Sequence, residues 1–320
     1  MSSSPTLRPP RVSDLDEIVD LINRDNTLTG IPVVVERDEL WEEWNSSLTS
    51  MERDCRVLSV DGRLRGVAWT LFLPSESTVQ RCYVEGAVDP DLRRNGHGRT
   101  LMDWGVNHAR ELLQTLATSD QPRSIRVQHR VDDTSRLELM REYDFSPVRW
   151  FDDLERPLVD VPTPVSITDI TIEPWPSDDE SVRRVKNIAF ADHWGSSPTT
   201  PEGWEELVRG FGSRLDLSRV AVDTRTNEVV AFLLAKRYPS DDTTLRRTAT
   251  VDKLGTLPKF RKRGIGSALI IEALHAFAQE DLTHALIDVD SSSPTGAHRL
   301  YESLGFELLF STVTSEIVLS

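Results

Sequence analysis

The chain has 320 residues, 38% of them hydrophobic and 28% charged, and 37 Lys and Arg against 52 Asp and Glu leave a formal net charge of -15. That length favours two domains over one, and the acidic field repels nucleic acid and anionic membrane while leaning toward cationic partners such as amines. Only Cys55 and Cys82 occur, in no CxxC or Cys/His spacing, so neither a disulfide framework nor a metal site is expected; the polar stretch Met1 to Pro10 and the lack of any long apolar run point to a cytoplasmic protein.

In chain order, Val12 to Ile22 has a Ser cap, early acids and apolar residues at helical spacing. Asp54–Val60 and Leu64–Phe72 are extended runs joined by the hairpin dipeptide Asp61-Gly62, Thr78 to Val88 is a further strand, and Gly98 to Leu113 a long helix. The second half repeats the order: Ile170–Ile172, a helix over Asp178–Phe190, strands at Arg219–Val222 and Glu228–Leu234 around Thr226-Asn227, a strand at Thr248–Thr256 and a helix at Gly266–Gln279. Arg93-Arg94-Asn95-Gly96-His97-Gly98 and Arg261-Lys262-Arg263-Gly264-Ile265-Gly266 recur at an offset of 168 residues, which means duplicated domains. The joint is placed near residue 160, within the proline-rich Arg156–Pro164, giving domains 1–160 and 161–320.

Each copy of the motif follows a strand and opens a helix. Unpaired N–H groups and partial positive charge at a helix start suit a pyrophosphate if glycines keep the approach clear. Gly96, Gly98, Gly264 and Gly266 serve that purpose, and Arg93, Arg94, Arg99, Arg261, Lys262 and Arg263 add cations. A glycine-rich turn with solvated basic residues is the bland alternative for one copy; two copies in matching settings weigh against it. The strand order preceding the motif excludes a dinucleotide-binding βαβ unit, and the Walker pattern is absent.

With these motifs the sequence resembles the GNAT acetyltransferase superfamily, on Val88 to Gly98 and on Gly255 to Leu269. The resemblance implies two tandem folds of the α/β (α+β) class, each a mixed, mostly antiparallel sheet flanked by helices. It also implies that acetyl-CoA is the co-substrate, with the loop amides on its pyrophosphate and the strand ends near Ala87-Val88 and Gly255-Thr256 along its pantetheine arm. The cofactor-binding set is therefore Gly255, Thr256, Arg261, Lys262, Arg263, Gly264, Ile265, Gly266 and Ser267, with Val88, Arg93, Arg94, Asn95, Gly96, His97, Gly98 and Arg99 in the first half.

Gly296 to Phe306 looks like the family's closing helix, turn and strand, and by that likeness Tyr301 inherits the role of general acid toward the leaving thiolate; packing with one hydrogen bond is its plainer role. Aligned on the phenylalanines, the first half puts Met140 opposite Tyr301, with Tyr143 at the position of Leu304. Methionine cannot donate a proton, so the N-terminal half is expected to be non-catalytic. Amine acetylation needs a base. Asp252 is the leading candidate, with Thr250 and Leu254 on its face by strand alternation, an ordinary ion-paired strand aspartate being the alternative. Asp192, His193 and Trp194 lie where such folds close over the acceptor, and equally suit a helix cap and a core aromatic. The expected function is N-acetylation of a small-molecule primary amine by a monomer or homodimer, without metal, nucleic acid or membrane. Two alternatives stand beside it: a mycothiol synthase, to which the tandem layout is similar, acting on a cysteinyl-glucosaminyl-inositol, and a non-catalytic acetyl-CoA-responsive binding protein.

Overall fold

The computed structural model describes residues 5–75, 78–116, 120–243, 245–292 and 296–319; the first four residues of the polar N-terminal stretch lie outside them. Its elements are β1 (Thr6–Arg8), α1 (Leu15–Thr29), α2 (Arg37–Trp44), α3 (Met51–Asp54), β2 (Cys55–Val60), β3 (Arg63–Leu73), β4 (Gln80–Val88), α4 (His97–Thr115), β5 (Arg123–Arg130), α5 (Thr134–Glu142), β6 (Ser146–Pro157), β7 (Ile170–Pro174), α6 (Glu180–Ala189), α7 (Pro201–Arg209), β8 (Arg219–Asp223), β9 (Glu228–Lys236), β10 (Thr248–Thr256), α8 (Ile265–Gln279), β11 (His284–Asp290), α9 (Ala297–Ser303) and β12 (Glu307–Leu319). They form two compact units, Met1–Arg149 with Thr312–Ser320, and Trp150–Ser311.

In the first unit β1 to β5 are neighbours in order and the end of β12 closes the sheet beside β5, Thr312 facing Arg130 and Leu319 facing Arg123. Every pairing is antiparallel except β4 with β5. The Asp61-Gly62 turn takes positive φ at both residues, as a tight hairpin requires. α1 buries Leu15, Ile18, Leu21 and Ile22 and α4 buries Leu101, Val106, Ala109, Leu112 and Leu113, the helical spacing read from the sequence. The Ser cap is not used: Ser13 lies inside a 3-10 turn and Asp14 stands at the cap position of α1.

The second unit has the order β7-β8-β9-β10-β11-β6, again with one parallel pairing, β10 with β11. Val230 to Ala235 is buried without interruption, as in a strand covered on both faces. α8 is buried nearly all round through Ala268, Leu269, Ile270, Leu274 and Phe277. The division differs from a cut near residue 160, because Phe151 to Pro157 pair with Asp290 to His284 inside the second unit. The proline run therefore begins at the last residue of a strand, Pro157, and lies within the second unit.

One feature of each sheet positions a site. The parallel ladder of β4 and β5 stops at Tyr83 opposite Arg126, and that of β10 and β11 at Val251 opposite Ile287, although all four strands run on. Beyond those rungs the strands part. β10 also carries a bulge against β9, with Val251 facing Ala235 and Lys253 facing Leu234, so Asp252 is the extra residue. The bulge breaks the alternation that put Thr250, Asp252 and Leu254 on one face. β4 pairs with β3 without any such shift.

Candidate active site

Both glycine-rich loops have the same backbone. Arg94 and Lys262 have φ of 66° and 61°, Gly96 and Gly264 of 84° and 82°, and each glycine caps the helix that follows. The left-handed φ, rather than crowding, explains the glycine: a Cβ on Gly96 would meet nothing within 4 Å, and one on Gly264 only Ile167 at 4.0 Å. The first intrahelical bonds are Thr100 N to Gly96 O and Ala268 N to Gly264 O, so the N–H groups ahead of them have no acceptor inside their helices. Such a start holds an anion.

The side chains around the second loop divide the labour. Ile265 is buried in the core, so only its backbone can serve a ligand. Arg263 donates to Thr168 O at 3.0 Å, and with Gly264 and Ser267 it lines a cavity of about 440 Å³ beside the helix start. Among the described residues Lys262 makes no hydrogen bond or ion pair and is available to a phosphate. Arg261 is a clamp: it donates to Thr256 O at 3.2 Å, to Ala189 O at 2.8 Å and to Asp192 Oδ2 at 2.8 Å. That pairing holds the Asp192 carboxyl below the usual carboxylate range and engages it with the loop.

The first unit repeats the clamp, with Arg93 on Asp25, which also receives Arg136 at 2.7 Å. Sequence reasoning missed Asp25, although it lies almost one repeat before Asp192. The loop cations of this unit are already balanced: Arg94 pairs with Glu138 at 2.7 Å and Arg99 with Glu142 at 2.6 Å, while Asn95 donates to Leu92 O. His97 opens α4. A cavity of about 330 Å³ reaches from this loop along Val88 to Glu85, whose carboxyl burial pushes up to about 7 against the pull of Arg136.

Gly255 has a packing reason. A Cβ there would stand 2.6 Å from the ring of Phe232 and 3.1 Å from that of Phe190, so the close approach of strand to aromatic needs glycine. Thr256 ends β10.

α9 carries Tyr301, 6% exposed, its ring edge-on to Phe306 at 6.1 Å. The turn after α9 is held by Gly305 at φ 82° and by Arg156 donating to Leu304 O. The Tyr301 hydroxyl has no hydrogen-bond partner among the described residues. Burial and then the charge of Asp288 raise its pKa, so the phenol is protonated at neutral pH. Asp252 pairs with Lys253 at 3.4 Å, and its buried Oδ2 makes no hydrogen bond.

Asp288 was not foreseen, because nothing in the isolated run Ala285 to Asp290 distinguishes it from a strand aspartate. By area it is exposed, yet it stands among crowded protein atoms that push its carboxyl up to about 6; Lys253 opposes the rise, and Asp290, Asp252 and Asp152 add to it. Water entering the open cleft works against the crowding.

Among the described residues the first unit has no tyrosine at the place of Tyr301. Met140 is buried in the core, and the Tyr143 hydroxyl donates its proton to Asp103 at 2.5 Å, with Arg99 O at 3.0 Å. Of the remaining acceptor candidates, His193 is tilted against Phe190 at 5.4 Å with Nδ1 near Trp194 O, and Trp194 tilts against Phe151 at 6.1 Å. Among the described residues no group of three or more His, Cys, Asp or Glu could hold a metal ion, and no helix is long and apolar enough to cross a membrane.

A sequence profile of the Acetyltransferase (GNAT) family matches residues 15–130 and 180–306. The chain belongs to the GNAT family. It is an acyltransferase, and the bare loop glycines, open helix start and unpaired Lys262 suit the pyrophosphate of an acyl-CoA. Two similar proteins are the mycothiol acetyltransferase of Thermomonospora curvata, 30% identical over 226 residues (69% of each chain), and that of Acidothermus cellulolyticus, 28% identical over 267 residues (80% of this chain and 77% of that one). Among solved structures, a GCN5-related N-acetyltransferase from Sphaerobacter thermophilus superimposes with a TM-score of 0.77 at 23% identity, over 98% of this chain and 95% of that one. A tandem GNAT protein from the clavulanic acid biosynthesis pathway gives 0.74 at 15% identity over 98% of each chain. These two share the fold, a tandem GNAT architecture of mixed, mostly antiparallel sheets.

Proposed function

We propose that the second unit transfers the acetyl group of acetyl-CoA to the primary amine of a small molecule, by direct attack within a ternary complex, while the first unit is non-catalytic. The observation that carries this reading is the Tyr301 hydroxyl, protonated and without a hydrogen-bond partner among the described residues, in the unit where β10 and β11 part. The loop amides from Gly264 to Ser267, with Lys262, bind the pyrophosphate, and the thioester lies in the gap between the strands. The amine lone pair attacks the carbonyl carbon, the C–S bond breaks, and Tyr301 donates its proton to the sulfur. A carboxylate near Asp252 accepts the proton that the ammonium must first lose.

Free thiol release from acetyl-CoA over a panel of primary amines tests this reading. Tight acetyl-CoA binding with no turnover on any amine would favour a binding protein instead. A second reading names the acceptor as the cysteinyl amine of a cysteinyl-glucosaminyl-inositol; the similarity to mycothiol acetyltransferases across more than two thirds of the chain favours it. Comparing kcat/KM for that amine with glucosamine decides between them.

A further inference from the structure

Five carboxylates surround the point where β10 and β11 part, and they differ in what they already hold. Asp152 on β6 receives Ser311 Oγ at 2.6 Å and faces His298 Nε2 at 3.3 Å. Asp290 on β11 is buried and accepts the Ser292 N–H at 3.0 Å. Asp153 on β6 is the strand partner of Asp288 and has interactions of its own. Asp252 on β10 carries Lys253, whose ammonium group also donates to the Asp252 carbonyl at 2.9 Å. Asp288 has no hydrogen bond or ion pair among the described residues.

Position separates it further. Val251 and Ile287 form the last rung of the parallel ladder, so Asp252 and Asp288 are the first residues past it, one on each diverging strand. Asp288 is also the carboxylate whose charge acts on the Tyr301 hydroxyl. The charged and titratable groups facing it are Asp252 and Lys253 from β10, Asp290 from its own strand, Asp152 and Asp153 from β6, and Tyr301 from α9.

We propose that Asp288 is the carboxylate that takes the proton from the acceptor's ammonium group, while Asp252 and Lys253 tune it without performing the transfer. This rests on the reading of the second unit as an amine acetyltransferase. One ammonium proton passes to Asp288 and then to solvent. The freed lone pair forms the N–C bond, and the C–S bond breaks with its electrons on sulfur. Tyr301 protonates the thiolate and is reprotonated by the second proton lost from nitrogen, so one proton is released per turnover. A net acid field at the same place selects a cationic amine over a neutral or anionic nucleophile.

The test compares wild type, Asp288→Asn and Asp252→Asn as full chains. Coenzyme A release is measured from about pH 5 to about pH 9 with glucosamine, 2-phenylethylamine and S-methylcysteine methyl ester, and with trifluoroethylamine, which is largely uncharged near neutrality. Asp288→Asn is expected to lower kcat/KM for the charged amines by about 100-fold, to lose the break on the acid side of the profile, and to keep acetyl-CoA affinity within about twofold of wild type. The defect should shrink at least about tenfold with trifluoroethylamine, a rescue that a merely structural role would not give. Asp252→Asn should keep the break and move it to lower pH, because a like charge has been removed. A break that survives in Asp288→Asn, or vanishes only in Asp252→Asn, overturns the assignment. Wild type that turns over none of the amines removes the acetyltransferase reading itself, and the assignment with it.

Discussion

Replacing Tyr301 by phenylalanine separates chemistry from packing. The ring is 6% exposed and edge-on to Phe306, and phenylalanine preserves both the volume and that contact. The hydroxyl that is lost has no hydrogen-bond partner among the described residues. The stability contribution of a typical hydrogen bond, about 1 kcal/mol, is therefore not forfeited, and unfolding should move by less than about 0.5 kcal/mol. Turnover should behave differently. A positioned proton donor is worth about 100-fold to 10,000-fold, or about 3–5 kcal/mol of barrier. Urea unfolding followed by tryptophan fluorescence measures the first quantity; single-turnover acetyl transfer to an accepted amine, with acetyl-CoA affinity measured alongside, gives the second. Tyr301→Ala is the contrasting control, since emptying the ring's place should cost about 3–5 kcal/mol of stability. An unchanged single-turnover rate in Tyr301→Phe would remove Tyr301 from the mechanism, and a large loss of stability would mean that the hydroxyl has a partner we did not assign.

Gly255→Ala should cost about 1–3 kcal/mol and several degrees of melting temperature by calorimetry, because its Cβ would stand 2.6 Å from the ring of the fully buried Phe232. Arg261→Ala should weaken acetyl-CoA binding about tenfold in calorimetric titration, with Asp192→Asn giving a smaller loss of the same kind. If Asp192→Asn instead left acetyl-CoA affinity intact and raised only the amine KM, Asp192 would be an acceptor ligand after all. In the first unit burial alone would raise the pKa of Asp54, but hydrogen bonds from His108, Arg53 and the Ser50 N–H hold it at about 2. That depressed value makes its contribution, about 2 kcal/mol, present above the ordinary carboxylate range and lost as pH falls toward 2. Asp54→Asn should therefore lower urea-unfolding stability at pH near 7 and flatten its acid dependence.

The elements around the two glycine loops were legible because local chemistry sets them. A hairpin dipeptide, a strand ending at Thr256 and an apolar helix after Gly264 appear in the structure within a residue or two of their expected bounds. The difference in chemistry between Met140 and Tyr301 is likewise a matter of residue type, and the structure places both on the helix before the closing turn. Side chains whose partners are distant in sequence could not be read this way. Nothing in the helix end that carries Asp192 shows that an arginine 69 residues away pairs with it. The bulge at Asp252 depends on pairing with β9, and the position of Asp288 depends on where a parallel ladder stops, neither of which leaves a local trace.

The closing strands add an asymmetry in time. All of the second unit, Trp150–Ser311, is contiguous, so a ribosome that has reached Ser311 has supplied every residue it needs. The first unit begins earlier and finishes later. Its sheet keeps β5 as an open edge until Thr312 to Leu319 emerge to pair with it, and an open edge invites pairing with other chains. The C-terminal unit is thus complete in sequence before the N-terminal one, and removing Thr312–Leu319 should injure the N-terminal unit while sparing the C-terminal one.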